Sequence, residues 1–165
     1  FVSINAGWRA IAAEDPEANE LDLSDSAFAE ASAREVLGAA LRQMPQRFKG
    51  RTDQAFFVPV ALAERYAEET ADRQTGLGDQ VLVGGFPALR YFGIPVVPEP
   101  HLTGDSFLLS PTGNLFFGVQ RQMTVDGQWQ PRRRVVEYTL TARVDFEYAT
   151  GKALVVASGL PEHLQ

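Results

Sequence analysis

The chain has 165 residues, of which 45% are hydrophobic and 22% charged, a composition typical of globular proteins. This length fits one domain or two small lobes. The 165 residues contain no cysteine, which excludes disulfide scaffolds, cysteine-ligated zinc, iron–sulfur clusters and thiol nucleophiles within them. No apolar run approaches the roughly 20 residues that a membrane-spanning helix needs, so we expect no membrane partner.

The formal net charge of -6 is concentrated in the N-terminal quarter of the sequence. Residues 1–40 contain eight acidic and two basic side chains, whereas the charges of residues 41–165 balance. An acidic balance argues against a dedicated nucleic-acid binder, because such domains usually carry a basic surface.

Residues 1–23 are predicted to be a leader or linker. Residues 14–20 are polar and follow neither helical nor strand periodicity. The sequence starts at Phe1 without a recognisable signal peptide, so we expect it to be a trimmed piece of a longer chain.

A helix is predicted over residues 26–44. Ser24, Asp25 and Ser26 offer side-chain oxygens that can cap its first turn. Pro45 limits the helix at its other end. Apolar residues then recur at helical spacing along one face: Ala33, Leu37, Ala40, Met44 and Phe48.

Short elements are predicted in the middle of the chain. Residues 55–60 form an apolar run with aromatic and β-branched side chains, typical of a buried strand. An amphipathic helix is predicted over 60–73. Strands are predicted at 80–83 and 91–97, and Pro95 makes the second of these an edge or irregular strand.

The pattern of the C-terminal half favours β-structure. Residues 106–109 and 115–125 are predicted to form a hairpin around a turn at 111–114. Asp126-Gly127 is a second turn signal.

The strongest pattern lies in residues 136–148, where seven apolar side chains alternate strictly with polar ones. This period of two predicts a strand with one buried face. Thirteen residues extend to roughly 43 Å, well beyond the usual strand of about 5–6 residues. Thr150-Gly151 is predicted to turn the chain into 153–157, which pairs back as a long C-terminal hairpin.

Few residues suggest a catalytic centre. His101, with Asp105 four residues later, is the enzymatic candidate, but a lone loop histidine is usually an ordinary surface residue. His163 lies close to the C-terminus, and the two histidines lack the spacing of metal ligands. We therefore predict no catalytic residues, no metal and no cofactor.

Two other clusters have a plain structural interpretation. Gly76, Gly78 and Gly84-Gly85 fit neither a dinucleotide-binding loop nor a phosphate-binding loop, so they are predicted to be turns. The carboxylates on the second helix suggest a solvated face interleaved with arginine, with a carboxylate site as the alternative: Glu64, Glu68, Glu69 and Asp72.

Arg132, Arg133 and Arg134 form the one basic run. Their guanidinium groups suit phosphates or the carboxylates of a neighbouring subunit. Exposed arginines at the start of a strand are the alternative. We predict that these three residues lie at a subunit interface, with the acidic N-terminal quarter of another copy as a candidate partner.

The order of several short segments resembles the major capsid proteins of tailed bacteriophages and prophages, which have the Hong Kong 97-like fold. The resemblance spans about residues 26–160. Its segments are VPVALAERYAEET, GLGDQVLVGG, RYFGIPVVPEPHL, GDSFLLSPTGNLFFGVQRQM and VVEYTLTARVDFEYATGKALVVAS.

The resemblance implies an α+β fold with a mixed β-sheet flanked by helices, a spine helix and a long C-terminal β-hairpin. On this basis residues 1–23 are a leader and 24–50 the spine helix of a peripheral domain. Residues 51–130 are an axial domain, 131–160 the hairpin returning through the peripheral domain, and 161–165 a tail. The family's N-terminal arm and extended loop would precede this segment.

The function implied is that of a structural subunit of an icosahedral capsid, located in the virion and in the host cytoplasm during assembly. Its partners would be other copies of itself, together with a scaffolding protein, a protease and a portal, and packaged DNA held by non-specific charge contacts. Some relatives cross-link neighbours through a lysine–asparagine bond. With only Lys49 and Lys152 in the sequence, we predict no such bond here.

Three alternatives stay open on the sequence alone. A bacterial nanocompartment shell protein shares the fold. An enzyme would use His101 and Asp105 in a concave pocket. A nucleic-acid-binding module would use the run at 132–134, with affinity that falls steeply with salt.

Overall fold

The computed structural model describes residues 7–72, 84–102 and 105–164. The strand predicted at 80–83, together with Gly76 and Gly78, lies outside the described residues. The helices are α1 (Trp8–Glu14), α2 (Ala33–Gln43) and α3 (Val60–Ala71). The strands are β1 (Asn19–Asp22), β2 (Gln54–Val58), β3 (Arg90–Tyr91), β4 (Ile94–Pro98), β5 (Phe107–Pro111), β6 (Leu115–Gln130), β7 (Val135–Tyr148) and β8 (Val155–Ser158).

Six of the strands form one mixed sheet in the order β1-β8-β5-β2-β4-β3. The pairs β1–β8 and β2–β4 are parallel, and the other three neighbouring pairs are antiparallel. The remaining strands, β6 and β7, pair only with each other in the described chain and form a long antiparallel hairpin.

Side-chain alternation along the central strands builds a layer on each face of the sheet. Phe107 and Leu109 of β5 pack against the buried residues of α2 and α3. Leu108, which lies between them, joins Ala12 of α1 on the opposite face. The expected α+β architecture, a mixed sheet flanked by helices, is therefore confirmed.

Helix α2 begins at Ala33, seven residues later than predicted. Ser32 is its N-cap, and the Ser32 hydroxyl accepts a hydrogen bond from the Glu35 backbone N–H. In turn the Glu35 carboxylate accepts one from the Ser32 backbone N–H, which completes a capping box. These bonds from Ser32 hold the pKa of Glu35 below its usual range. Asp25 instead caps a separate short 3-10 turn at Ser26–Phe28.

The predicted leader contains regular structure, so the leader or linker interpretation was wrong for residues 8–14 and 19–22. Residues 15–18 between them are irregular, as the loop prediction expected. Helix α1 packs on the sheet, and β1 forms the edge strand beside β8. Asn19 reinforces this pairing because its side-chain amide donates to the Leu154 carbonyl at 2.7 Å. A strand held mainly by backbone hydrogen bonds needs no alternation of apolar side chains, so the polar sequence did not indicate it.

The predicted strand pairings in the C-terminal half were wrong, although most of the strands exist. Strand β5 pairs with β2 and β8, not with β6. Strand β7 pairs with β6, whereas β8 lies in the main sheet. The long hairpin therefore spans 115–148, and the predicted boundary between 130 and 131 falls at its turn.

Two local predictions need adjustment as well. Asp126 and Gly127 lie inside β6 opposite Thr139 and Tyr138, so they form no turn. The strand predicted over 91–97 is split by a tight turn at Phe92-Gly93 into β3 and β4. In the described residues, no helix is long and apolar enough to cross a membrane.

Candidate assembly surface

The β6–β7 hairpin extends away from the sheet. Its strands contain 16 and 14 residues, which corresponds to roughly 46–53 Å at about 3.3 Å per residue. Among the described elements, α1 is the one that packs appreciably against it, and it does so at the base. Most of the hairpin is therefore exposed on both faces.

One face of this hairpin is apolar along its whole length. The register places Phe117 opposite Phe146, Val125 opposite Leu140, and Trp129 opposite Val136. Tyr138 and Leu140 are 66% and 60% exposed. Contiguous exposed apolar faces of this extent are rare on monomeric proteins, so this face is a candidate interaction surface.

The opposite face is mainly polar, and its side chains satisfy one another across the strands. The hydroxyls of Thr124 and Thr141 are 2.6 Å apart. Arg143 donates to Gln120 at 3.2 Å, and Gln130 donates to Glu137 at the same distance. The strict alternation in residues 136–148 therefore separates an apolar face from a hydrogen-bonded polar face, as expected. The prediction that the apolar face is buried was wrong for the single subunit, because no described layer of its own core covers this part of the hairpin.

Trp8 anchors the base of the hairpin. Its indole nitrogen lies 3.1 Å from the carbonyl oxygens of Phe116 and Glu147, one on each strand. Its ring packs edge-on against Phe146, with 5.1 Å between the ring centroids. Helix α1 thus covers the first part of the apolar face and fixes the hairpin to the sheet. This role of Trp8 was not predicted, because its partners lie more than 100 residues away in the chain.

The three arginines lie in the turn at the far end of the hairpin, not at its entry as predicted. The backbone N–H groups of Arg133 and Arg134 both donate to the Gln130 carbonyl, at 3.1 and 2.9 Å. Arg134 has a φ of 55°, a left-handed conformation that is unusual outside glycine. All three side chains are exposed at the point farthest from the sheet.

The enzymatic candidates are not assembled into a site. His101 and Asp105 are both exposed, and no hydrogen bond or ion pair joins their side chains in the described chain. The His101 backbone donates to Glu99, and the Asp105 carbonyl accepts from Leu160. Their contacts are those of ordinary loop residues.

Two of the carboxylates on α3, those of Glu68 and Glu69, have structural roles. Glu69 caps α2, because its carboxylate accepts from the backbone N–H groups of Ala33 and Arg34 at 2.7 and 3.1 Å. Glu68 forms an ion pair with Arg65 at 3.2 Å. Within the described residues, no group of three or more potential ligands is placed to hold a metal ion.

Phe92 is a surface feature that the sequence prediction missed. It occupies the turn between β3 and β4, and 79% of it is exposed. The glycine in Tyr91-Phe92-Gly93-Ile94 is the signal that could have indicated a turn within the predicted strand.

Comparison with known proteins agrees with this architecture. No family model matches the sequence. The sequence is 27% identical over 128 residues to a Bacillus subtilis protein named "Putative prophage capsid protein YqbE", covering 69% of this chain and 39% of that protein. In the satellite phage P4 procapsid structure, which includes the size determination protein, the matched chain superposes with a TM-score of 0.69 at 14% identity, over 93% of this chain and 50% of that one.

The chain has the Hong Kong 97-like capsid fold. This fold also includes the shell of the holo-SrpI encapsulin complex from Synechococcus elongatus, with a TM-score of 0.56 at 13% identity over 89% of this chain and 54% of that one. The chain thus spans about two fifths to one half of the length of these relatives. The fold predicted by the sequence resemblance is confirmed, and its long hairpin is β6–β7.

Proposed function

We propose that the protein containing this chain is a structural subunit of a phage or prophage capsid, which self-assembles into the shell that encloses the DNA. The observation that carries this proposal is the apolar face of the β6–β7 hairpin, which extends far beyond the core of a capsid fold. A subunit that must bond to several neighbours needs such a surface, because the burial of apolar area drives association.

Repetition of the contact explains why a weak interface between two subunits is sufficient to hold a shell together. A shell repeats each contact in every copy, and binding at several points raises the total affinity far above that of one interface. Contacts between different surfaces of two copies close into rings when the rotation between copies permits it. The role we propose is therefore structural rather than catalytic.

A bacterial nanocompartment shell is the second candidate, and the likeness to the encapsulin shell supports it. The phage reading has more support, because the superposition on the procapsid chain is closer and the curated relative bears a prophage capsid name. Isolated particles distinguish the two functions, since a phage shell encloses DNA whereas a nanocompartment encloses a cargo protein.

We further propose the partners and locations that accompany a capsid. These are other copies in capsomers, a scaffolding protein, a protease and a portal during assembly in the host cytoplasm, and packaged DNA through non-specific charge contacts. We propose Arg132, Arg133 and Arg134 as subunit-interface residues. Their position at the exposed tip of a long hairpin supports this, since the tip reaches farthest from its own core.

Expression of the full-length gene, followed by electron microscopy and light scattering, tests the proposal. We expect closed particles of uniform diameter. Replacing Val125 and Leu140 by threonine makes the middle of the apolar face more polar and places side chains with high strand propensity there, and we expect particle yield to fall several-fold. The matched control Thr139→Ser changes the polar face and should leave assembly intact. A full-length protein that stays monomeric under all assembly conditions contradicts the proposal.

A further inference from the structure

The turn between β3 and β4 holds an aromatic side chain in an unfavourable backbone conformation. Phe92 and Gly93 have φ angles of 49° and 81°, so both residues of the two-residue loop are left-handed, as a type I′ turn requires. Glycine, asparagine and aspartate suit the first position, whereas a bulky residue there is strained. The ring packs against Tyr91 at 4.9 Å between centroids, yet most of it faces solvent. The contact with Tyr91 therefore offsets only a small part of the conformational strain.

A cleft of about 420 Å³ lies beside Phe92, with Gln54 among its lining residues. Gln54 is 2% exposed, and its amide nitrogen donates to the Phe48 carbonyl at 2.6 Å. A carbonyl can only accept, so this bond fixes the orientation of the amide. The amide oxygen, Oε1, then has no hydrogen-bond partner among the described residues. This oxygen is therefore a polar atom buried without a hydrogen-bond partner beneath the cleft.

The rim of this cleft is basic. Arg51 is bonded in a fork to Asp53, and the Lys49 ammonium donates to the Arg42 carbonyl at 3.0 Å. Among the described residues, Arg51 forms an ion pair with a carboxylate, whereas Lys49 and Arg90 form none. Lys49 and Arg51 line the cleft, and Arg90 donates to the carbonyl of the lining residue Gly93 at 3.2 Å. We name Lys49, Arg51 and Arg90 the basic patch.

A pocket with the opposite character lies at the other end of α2. Its volume is about 420 Å³, and the buried apolar residues Ala31 and Leu164 line it. Exposed carboxylates of Glu30, Glu68 and Asp72 also line it, together with Arg65 and His163. Helix α2 has 11 residues, so about 16 Å of helix separates this acidic pocket from the basic patch.

Charges of this arrangement also complement the dipole of α2, with carboxylates near its N-terminus and cations near its C-terminus. The helix dipole accounts for the positions of these charges. It accounts neither for the exposure of Phe92 in a strained turn nor for the unpartnered oxygen of Gln54. The exposed ring is accounted for by a second polypeptide that covers it, whereas the Gln54 oxygen is sealed from solvent and takes no part in such a contact.

We infer that Phe92 and the basic patch of one copy dock into the acidic pocket of the next copy, which makes a head-to-tail contact. The inference deepens the proposed capsid function and rests on it. The aromatic ring fills a pocket with an apolar floor, and the flanking cations meet carboxylates at its rim. Since the two surfaces differ, the contact is heterologous and closes into a ring when the rotation per copy permits.

The first test is cross-linking of the full-length protein in a background free of other cysteines. Thr52 lines the cleft and Glu30 lines the acidic pocket. Mild oxidation of the Thr52→Cys, Glu30→Cys double variant should give a ladder of disulfide-linked multimers on a non-reducing gel, because the contact brings the two positions together. Each single variant should give no ladder. Adding Phe92→Asn should lower the multimer yield by roughly tenfold, as expected for an aromatic anchor.

Phe92→Asn also separates docking from folding. Asparagine suits a left-handed turn position, so the melting temperature of the subunit should be unchanged or higher. A purely structural role for Phe92 predicts that particle yield stays unchanged too, and that result would overturn the inference.

A charge swap supplies the second test. Lys49→Glu and Asp72→Lys should each lower the particle yield, and the two together should restore it, since the contact is re-formed with reversed polarity. The matched swap at the ion pair Lys152–Glu17, made by Lys152→Glu with Glu17→Lys, should leave the yield unchanged at every step. Particles that form without the ladder and tolerate these changes would contradict this contact alone. A full-length protein that remains monomeric would contradict the capsid proposal as well.

Discussion

Asp15 accepts a hydrogen bond from the hydroxyl of Tyr148, with 2.7 Å between Oδ2 and Oη. Asp15 directly follows α1, and Tyr148 is the last residue of β7, so this bond ties α1 to the base of the hairpin. The Tyr148 hydroxyl, followed by the Glu17 backbone N–H, holds the pKa of Asp15 below its usual range. Burial, and then the carboxylate of Asp15, raises the pKa of Tyr148 far above its usual range.

The Tyr148→Phe variant should lose stability in a pH-dependent way. The folded state favours the ionised Asp15, so this contribution is present above the unfolded pKa near 3.9 and is lost as pH falls through the lower folded value. We expect the melting-temperature difference between wild type and variant to be constant from about pH 5 to 8 and to shrink below about pH 4. Thermal melts followed by circular dichroism measure it.

The alkaline side of the same experiment has the opposite cause. The folded state favours neutral Tyr148, so the wild type should lose its advantage as pH rises above about 10, the unfolded value for tyrosine. Tyr138→Phe, at an exposed position of the hairpin, is the control and should leave the melting temperature unchanged throughout. A difference for Tyr148→Phe that stays constant down to pH 2 would contradict the assignment.

A second prediction concerns Gly151, which lies against the Asp15 carboxylate. A Cβ at this position would overlap Asp15 Oδ2 and approach the Ala18 backbone nitrogen at 3.2 Å. Gly151→Ala should therefore displace Asp15 and lower stability by about 1–3 kcal/mol, as overpacking does. At Gly118 the nearest atom would be the Asp145 carbonyl at 3.9 Å, so Gly118→Ala is the tolerated control. Equal melting temperatures for the two variants would show that the loop relaxes without cost.

The elements that the sequence predicted correctly depend on local patterns. Three elements show in their own residue pattern which faces are apolar: the strand β2, the amphipathic helix α3 and the alternating strand β7. Their predicted boundaries agree with the structure within a few positions. Pairing depends on residues far apart in the chain, and for this reason the partner of β7 was predicted wrongly. Residues 153–157 form a continuous apolar run, which is typical of a strand buried on both faces and could have indicated a place inside the sheet.

The false turn at Asp126-Gly127 has a specific physical cause. Gly127 lies opposite Tyr138, and a Cβ there would be 3.2 Å from the tyrosine ring. The glycine therefore makes room for an aromatic side chain inside a strand, a role that the dipeptide alone does not reveal. The actual turn contains Arg134 at positive φ, where no glycine signals it.

The candidate surfaces were predictable to different degrees. The alternation in β7 indicated an apolar face, and the arginine run was visible directly. Phe92 meets Gln54 only when β2 packs beside the β3–β4 turn, and the acidic pocket forms only when residues 30–32, α3 and the C-terminal turn come together. Their relationship therefore requires the tertiary structure. Trp8 likewise has no partner in its own segment.

A third prediction concerns the apolar face of the hairpin. Val125 and Leu140 lie opposite each other and are 59% and 60% exposed in the subunit. Replacing both by threonine should change the unfolding free energy of the dissociated subunit by less than about 1 kcal/mol, since exposed substitutions outside special sites cost little. Particle yield should nevertheless fall several-fold. A loss of yield matched by an equal loss of subunit stability would indicate a folding defect instead of a lost contact.

The last prediction concerns Arg132, Arg133 and Arg134 at the hairpin tip. We predict that they meet acidic groups of a neighbouring subunit in the assembled particle. An exposed ion pair contributes at most about 1 kcal/mol, so a single substitution should have little effect. The contact repeats in every subunit, and the combined loss across a particle is therefore large. Two variants of the full-length protein separate charge from geometry.

The first variant combines Arg132→Ala, Arg133→Ala and Arg134→Asn, because asparagine tolerates the left-handed conformation of residue 134. Its subunit should melt near the wild-type temperature, whereas its particle yield should fall, and fall further as salt is raised. The second variant replaces all three arginines by lysine. It keeps the charge but not the forked geometry that binds a carboxylate through two hydrogen bonds, so its yield should be intermediate. Normal yield and normal salt tolerance in the first variant would show that the arginines are simply solvated at the tip of the hairpin.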